Sequence, residues 1–567
     1  QRFPYAAVQA LLLWLSFIIC FIAGAHVVQT RRDVQFFLRV LLIVSAAASL
    51  VAVIQYAFTG EMRLDFFIGA EQRIISTFGN ATFFSSYIVL VVPLFLAAVM
   101  HSGSARWLRV SSGVLVAVLL LLLILTATRT SLVALVLSLV VFFARVGERS
   151  RKITIFSAMA LVFLLGIGLV AFPKLGERFA DSLASNSTLL RRVQFWEAGW
   201  KAFADAPLVG HGIGSYETTM LSYRPSDYWI SSGEDVTQHA HNEFIEVLAE
   251  TGIIGFLAYG VLVVYAVRKG LRSLKSLRHR ERLFVWGIVC SLLGIAIDGL
   301  ASISLRTAPV GALAWFLLGL LASSWPKEEK GAAPVLRKSV GWEWIAAVAW
   351  ILFAVWYTPD QLNLIRSSQH EIEGMLSKYE HNLPARIREY EAAVQLAPHD
   401  AQKLSRLIAV LVKIGNYEQA LNYTEQLQRQ IPIYPKSNFQ EAIAAFSLRR
   451  YHEAIDAARA EIRLRDHPDA FFVLARSHAR LNDTVGERQA LLGLLDADLR
   501  GNTALHLNPT SQRLLDLMRS AEERKTLDSI YRNLHMQFPD KTVVQQTLHT
   551  LDSLAAQDAA AINRRFP

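Results

Sequence analysis

Gln238-His239-Ala240-His241-Asn242-Glu243-Phe244 closes a long polar loop, and the residues from Thr251 to Val267 that follow it carry no charge. An uncharged run of that length is most of a membrane span. Two histidines therefore stand where a water-facing loop enters a membrane helix. Asn242 reads as the N-cap of that helix, and Glu243 falls in its first turn, where the helix dipole favours negative charge. A neutral imidazole near pH 7 is a natural general base. His241 abuts the cap and is the better fixed of the pair. His239 lies further back and reads as support for the loop itself. Metal binding is the competing use of His239, His241 and Glu243, but the spacing is not His-Glu-x-x-His and residues two apart diverge on a helix. No metal and no cofactor is expected.

The chain has 567 residues, of which 53% are hydrophobic and only 18% charged, and its mean hydropathy is +0.32. Such a composition excludes a soluble enzyme of this length. Apolar runs long enough to span recur through residues 1–358, whereas 359–567 is polar with a helical pattern. The expected fold is all-α: a polytopic membrane domain followed by a soluble helical domain. The net charge of +10 is explained by basic cytoplasmic loops, so no nucleic-acid partner is inferred. Cys20 and Cys290 both fall in apolar segments, which excludes a disulfide framework and a cysteine metal site.

Candidate spans are 5–28, 36–58, 83–100, 108–128, 130–145, 153–172, 244–267, 283–304, 307–325 and 342–358. Basic residues mark every second connection: Arg31 and Arg32; Arg106 and Arg109; Arg145 to Lys152; Arg268 to Arg282; Lys327 to Lys338. The positive-inside rule makes these cytoplasmic. The other side then holds 59–82, the turn at Thr128-Arg129, the large loop 173–243, Arg306 and everything after Thr358. Gln1 falls on that side too, so an odd number of helices is expected upstream.

In the polar part, Tyr417 and Tyr451 are 34 residues apart, and Pro398 and Pro432, Ala420 and Ala454 keep the same interval. A 34-residue helix–turn–helix period is the tetratricopeptide signature. About three repeats fit between 379 and 495. Such solenoids present a concave surface to partners, so a protein partner is expected here.

Other residues stand out in the membrane half. Arg129, in Thr126-Ala127-Thr128-Arg129-Thr130-Ser131, sits between two apolar runs, where an ionisable residue is a functional candidate; a snorkelling interfacial arginine is the alternative. Arg192 is four residues before Trp196 on an amphipathic stretch, so the two share a helical face; Arg191 is its reserve. Guanidinium forks suit phosphate. Two arginines and a histidine on one membrane face point to a lipid-linked phosphate substrate. Asp298 is the only charge in 283–305; it is expected to pair with Arg306, or else to orient the histidine. The glycines of Pro207-Leu208-Val209-Gly210-His211-Gly212-Ile213-Gly214 read as tight turns before they read as a phosphate cradle.

Together Ser76-Thr77-Phe78-Gly79-Asn80, Thr128-Arg129-Thr130-Ser131, Arg192 with Trp196, Pro207 to Gly214, His239-Ala240-His241-Asn242-Glu243 and Ala249-Glu250-Thr251-Gly252-Ile253-Ile254-Gly255 resemble the O-antigen ligase and polymerase family of bacterial envelope glycosyltransferases. The resemblance covers roughly residues 70–325. It implies a C-type glycosyltransferase of the inner membrane, multi-pass, taking a glycan from undecaprenyl diphosphate at the periplasmic face. Arg129 and Arg192 would hold the diphosphate, with Arg191, His239 and Asp298 as further candidates. His241 would activate the acceptor hydroxyl for inverting attack without metal. The outward repeat domain and the extra span 342–358 depart from the simplest ligases and leave the acceptor open. It is lipid A–core for a ligase, a growing glycan for a polymerase, or a Ser or Thr side chain for a protein O-oligosaccharyltransferase. A transporter of the same lipid is the reading from another class. It should show charges near mid-membrane and an internal repeat, neither of which the sequence has.

Overall fold

The structure, a computed structural model, describes residues 4–28, 30–58, 73–101, 105–146, 187–224, 237–323, 359, 362–376, 382–434, 436–464, 467–500, 507–517, 520–537, 539 and 542–565. Among these residues the chain is helical without strands. It divides into two compact units, one built from 3–225 and 237–336 and the other dominated by 337–567.

The first unit contains α1 (Pro4–His26), α2 (Arg31–Phe58), α3 (Ala81–Met100), α4 (Arg106–Leu125), α5 (Arg129–Val146), α6 (Ser187–Asp205), α7 (Tyr216–Tyr223), α8 (Glu243–Ser273), α9 (His279–Asp298) and α10 (Ala308–Ala322). Among the described residues, α1, α2, α3, α4 and α8 are long and apolar enough to cross a membrane. The expected spans 153–172 and 342–358 lie outside the described residues; helices occupy the other eight positions. α3 is the centre of the bundle. Phe84, Ile88, Leu90, Leu94 and Phe95 are fully buried, and α3 packs against α4, α5 and α9. Ile43, Val114 and Val261 are exposed, as a lipid-facing surface requires. Lipid tails are as apolar as leucine, so close packing and polar contacts must hold such helices together. Two such contacts are the hydrogen bond between Ser45 Oγ and Tyr87 Oη at 2.8 Å and that from Ser138 Oγ to the Cys290 carbonyl at 2.7 Å.

Helix α8 is broken. Gly252 has φ +63°, a left-handed conformation inside the helix. A break frees backbone groups that must find partners, and the loop after α6 supplies them. The amides of Ile253 and Ile254 donate to the carbonyls of Pro207 and Leu208 at 2.8 and 3.2 Å, and the amides of His211 and Gly212 donate to Ala249 and Glu250 at 3.0 and 2.8 Å. The backbones meet so closely that a Cβ on Gly252 would lie 2.3 Å from the Leu208 oxygen, and one on Gly210 (φ +65°) would lie 2.4 Å from the Glu250 carbonyl carbon. The glycines thus serve the turn and the close approach. The polar start of α8, 243–251, is thereby uncoupled in direction from the apolar run after it.

Gly252→Ala therefore combines backbone strain of about 1–3 kcal/mol with overpacking of about 1–3 kcal/mol. The expected outcome is a marked fall in melting temperature of the detergent-purified protein, against little change for Gly260→Ala, where a Cβ meets none of the described residues within 4 Å.

In the second unit α11 (Leu383–Leu396), α12 (Ala401–Ile414), α13 (Tyr417–Gln430), α14 (Ser437–Ser447), α15 (Tyr451–Leu464), α16 (Pro468–Arg480), α17 (Thr484–Arg500), α18 (Leu507–Leu517), α19 (Ala521–Gln537) and α20 (Thr542–Arg565) follow one another. α13 and α15 begin at the two tyrosines that set the sequence period. Asp400 caps α12 by accepting from the Gln402 and Lys403 amides, and Gly415 (φ +83°) ends it. Small buried residues, Ala420, Ala442, Ala454, Ala458 and Ala475, let successive helices approach closely.

Candidate functional site

Four connections of the first unit meet at one end of the bundle: 73–80, 126–129, 237–243 and 299–307. Arg73 ties the first to the second, its Nε donating to the Thr126 carbonyl at 2.7 Å and its Nη2 to Thr128 Oγ1 at 2.5 Å. The Glu243 amide ties the third to the fourth by donating to the Gly299 carbonyl at 2.9 Å. Three non-glycine residues in these connections have positive φ, Ser76, Ala127 and His241, each at +51°. Such strain collects where surrounding structure forces a backbone into a working geometry. At Ser76 the forcing is visible. Its amide donates to Gln55 Oε1 at 2.8 Å, its carbonyl accepts from Gln55 Nε2 at 3.1 Å, and its hydroxyl donates to the Ala48 carbonyl at 2.7 Å.

Arg129 begins α5, and Arg192 lies in the second turn of α6. Burial lowers the pKa of the Arg192 guanidinium; Asp298 opposes this, while Arg73 and Arg129 add to it by like-charge repulsion. The electrostatics therefore bring Arg73, Arg129 and Arg192 together, with Asp298 as a carboxylate acting on Arg192. Arg191 is half-buried and stands one helix step round from Arg192. Arg73 was not among the candidates from sequence. Its signal was its place three residues before Ser76-Thr77-Phe78-Gly79-Asn80, in a connection already assigned to the same side as Arg129.

His241 faces this cluster. Its ring stacks on Phe195 of α6 with centroids 5.7 Å apart. Burial, the Arg192 charge and His239 together lower its pKa to about 4. An ordinary imidazole would lose its base form below about pH 6; this one stays neutral well below that. Asn242 caps α8 by accepting from the Phe244 and Ile245 amides at 3.0 and 3.2 Å.

His239 is held differently. Its Nδ1 pairs with Glu246 Oε1 at 2.8 Å, while Glu246 Oε2 accepts from the Ala240 amide at 2.8 Å. Burial disfavours the charged ring, but the Glu246 carboxylate outweighs it and raises the His239 pKa. Glu246 thus clamps the residues leading into His241. Glu243, Glu246 and Glu250 recur at helical spacing on one face of α8, and all three meet Arg306. Arg306 Nε lies 3.3 Å from Glu243, and Nη1 lies 3.1 Å from Glu246 and 2.7 Å from Glu250. The arginine and the three carboxylates are all buried. Burial alone would lower the Arg306 pKa, yet the three carboxylates hold it well above the usual arginine range.

Asp298 does not pair with Arg306. It accepts from Ser86 Oγ at 2.5 Å and Ser131 Oγ at 2.7 Å. Ser86 is also hydrogen-bonded to Ser304, and Ser304 to Ser302. The expected pairing fails because Arg306 is taken up by Glu243, Glu246 and Glu250 of α8, which a charge count confined to 283–305 leaves out. Glu243 is likewise committed to Arg306, not to a ligand set with the histidines.

Removing one partner of a buried ion group strands the rest and costs about 3–5 kcal/mol. Arg306→Met is expected to lower the melting temperature sharply, and Arg306→Met combined with Glu246→Gln and Glu250→Gln to recover part of the loss. Equal stability of the single variant and wild type would contradict the buried network.

Residues 114–260 match the O-antigen ligase family (Wzy_C), a stretch from within α4 to within α8 that carries Arg129, Arg192 and His241. The chain is also similar to the exopolysaccharide production protein ExoQ of Rhizobium meliloti, 29% identical over 136 residues, which is 23% of this chain and 29% of that protein. The match thus spans less than a third of the relative's length.

Proposed function

We propose that this protein is an inverting, metal-independent glycosyltransferase of the bacterial inner membrane that moves a glycan from undecaprenyl diphosphate to an acceptor hydroxyl at the periplasmic face. The observation that carries this reading is the convergence of Arg73, Arg129 and Arg192 beside a histidine kept neutral by its surroundings. Arg73 and Arg129 both repel Arg192, and all three are half-buried; a bound diphosphate relieves that repulsion. In the reaction, His241 takes the proton of the acceptor hydroxyl as its oxygen attacks the anomeric carbon. The new C–O bond forms as the bond from that carbon to the diphosphate oxygen breaks. Undecaprenyl diphosphate departs with the electron pair, and the arginines offset its charge. Arg191 and Asp298 shape the anion pocket, and His239 supports the acceptor side.

The similarity to an exopolysaccharide production protein favours a growing glycan as acceptor over lipid A–core. The 34-residue spacing of helix starts at Tyr417 and Tyr451 supports a tetratricopeptide solenoid for a protein partner, the alternation of basic connections assigns it to the periplasm, and a protein acceptor is the second reading. The test is transfer by the purified full chain from undecaprenyl-diphosphate glycan to lipid A–core, oligosaccharide and a Ser/Thr-rich protein in parallel. Transfer to any of the three with stoichiometric release of undecaprenyl diphosphate supports the reading. Folded protein that binds the donor yet transfers to none of them sinks it.

A further inference from the structure

Beside the His239 loop lies a cavity of about 280 Å³. Its lower wall is aromatic: Trp14 of α1 contacts Tyr259 and Trp315 edge-on, with centroids 6.1 and 5.8 Å apart. Its upper wall is polar, with Gln9 from α1, Glu217 from α7, and His239 and Gln238 from the loop. Arg306 and the three glutamates of α8 also line it. Arg306 is nine-tenths buried, and its Nη2 has no hydrogen-bond partner among the described residues although it is enclosed. A buried donor left so is costly, and a ligand oxygen in the cavity would recover that cost. His239 spends Nδ1 on Glu246, which leaves Nε2 for whatever enters.

We propose that this cavity binds the terminal sugar of the acceptor, and that the sugar is uncharged; the inference rests on the transferase reading. A sugar ring offers an apolar C–H face to aromatic rings and a rim of hydroxyls to carboxylates, amides and an arginine, which is the division of these walls. The volume lies just below the roughly 300–1,000 Å³ of pockets for drug-sized ligands, enough for one ring and not for a chain. Glu217, Glu243, Glu246 and Glu250 outnumber Arg306 and His239, so a phosphorylated or uronate terminus would enter against the field. In this arrangement the donor diphosphate sits among the arginines that act on His241, and the acceptor sugar sits among the carboxylates beside His239, two residues before it.

The test uses the purified full chain, short oligosaccharides ending in a neutral hexose, a hexuronate or a hexose phosphate, and Gln9→Trp, which fills the cavity, beside Trp14→Ala, which removes its floor. The neutral terminus should be used with a KM at least tenfold below the charged ones. Both variants should raise acceptor KM at least tenfold while undecaprenyl diphosphate affinity stays as in wild type; the melting temperature should stay as in wild type for Gln9→Trp and fall for Trp14→Ala, which loses ring contacts with Tyr259 and Trp315. Calorimetric titration of the neutral oligosaccharide should show the same loss, independent of turnover. Wild-type acceptor KM and binding in folded Gln9→Trp overturn the proposal, as does preference for a charged terminus or a variant that weakens donor and not acceptor. If the wild type transfers nothing, the transferase reading fails and the titration alone decides the cavity: saccharide binding abolished by Gln9→Trp upholds it as a sugar site, and no binding removes it.

Discussion

His241→Ala protein will fold, bind undecaprenyl diphosphate with wild-type affinity, and transfer glycan about 10²–10⁴-fold more slowly, the usual contribution of a positioned base. The loss should fall on kcat, because the proton moves only in the transition state. The pH dependence carries a sharper signature. In the free enzyme the His241 pKa is held near 4 by burial, Arg192 and His239, so the acid limb of kcat/KM should appear near pH 4. Once the diphosphate occupies the arginines, part of the Arg192 repulsion is cancelled and the imidazole becomes easier to protonate. The acid limb of kcat, which reports the complex, should therefore lie at higher pH than that of kcat/KM. Coincident limbs near pH 6.5 would mean that Arg192 and the donor do not act on this ring. Near wild-type turnover in folded His241→Ala would remove the base assignment outright.

Arg192→Lys should weaken undecaprenyl diphosphate binding by roughly 10–100-fold, the loss of about 1.5–3 kcal/mol that a hydrogen bond to a charged group contributes. Lysine keeps the charge, so a purely electrostatic role would spare affinity; a bidentate fork would not survive the exchange. Arg192 is the cleanest probe of the three because the backbone of 126–128 does not hang on it. Arg73→Lys would also loosen Thr126 and Thr128, and should cost both binding and thermal stability. If Arg192→Lys binds the donor as tightly as wild type, the three-arginine anion site is wrong.

Much of this was legible in the sequence, for identifiable reasons. Helix positions followed from runs of apolar residues, and the cap at Asn242 from a local side-chain preference. His241, Arg129 and Arg192 were visible because charge and imidazole are conspicuous beside apolar spans. What stayed hidden was pairing across the bundle. Arg73 looked like one more loop arginine, since only the fold brings its fork to Thr126 and Thr128. Glu243, Glu246 and Glu250 sit at positions that announce a common face, yet their partner Arg306 is more than fifty residues away in the chain. Asp298 was drawn to Arg306 for want of another charge, whereas serine hydroxyls from α3 and α5 satisfy it instead. The break at Gly252 was disguised by an apolar run that reads as a continuous span; its cause lies in the backbone of 207–212.

The most direct measurement is an electron-microscopy map of the full chain with undecaprenyl diphosphate. The diphosphate should lie within hydrogen-bonding distance of Arg73, Arg129 and Arg192, with the His241 ring facing the position of the anomeric carbon. Density for the diphosphate elsewhere, with these arginines turned away from it, would contradict the proposed site and the reaction built on it.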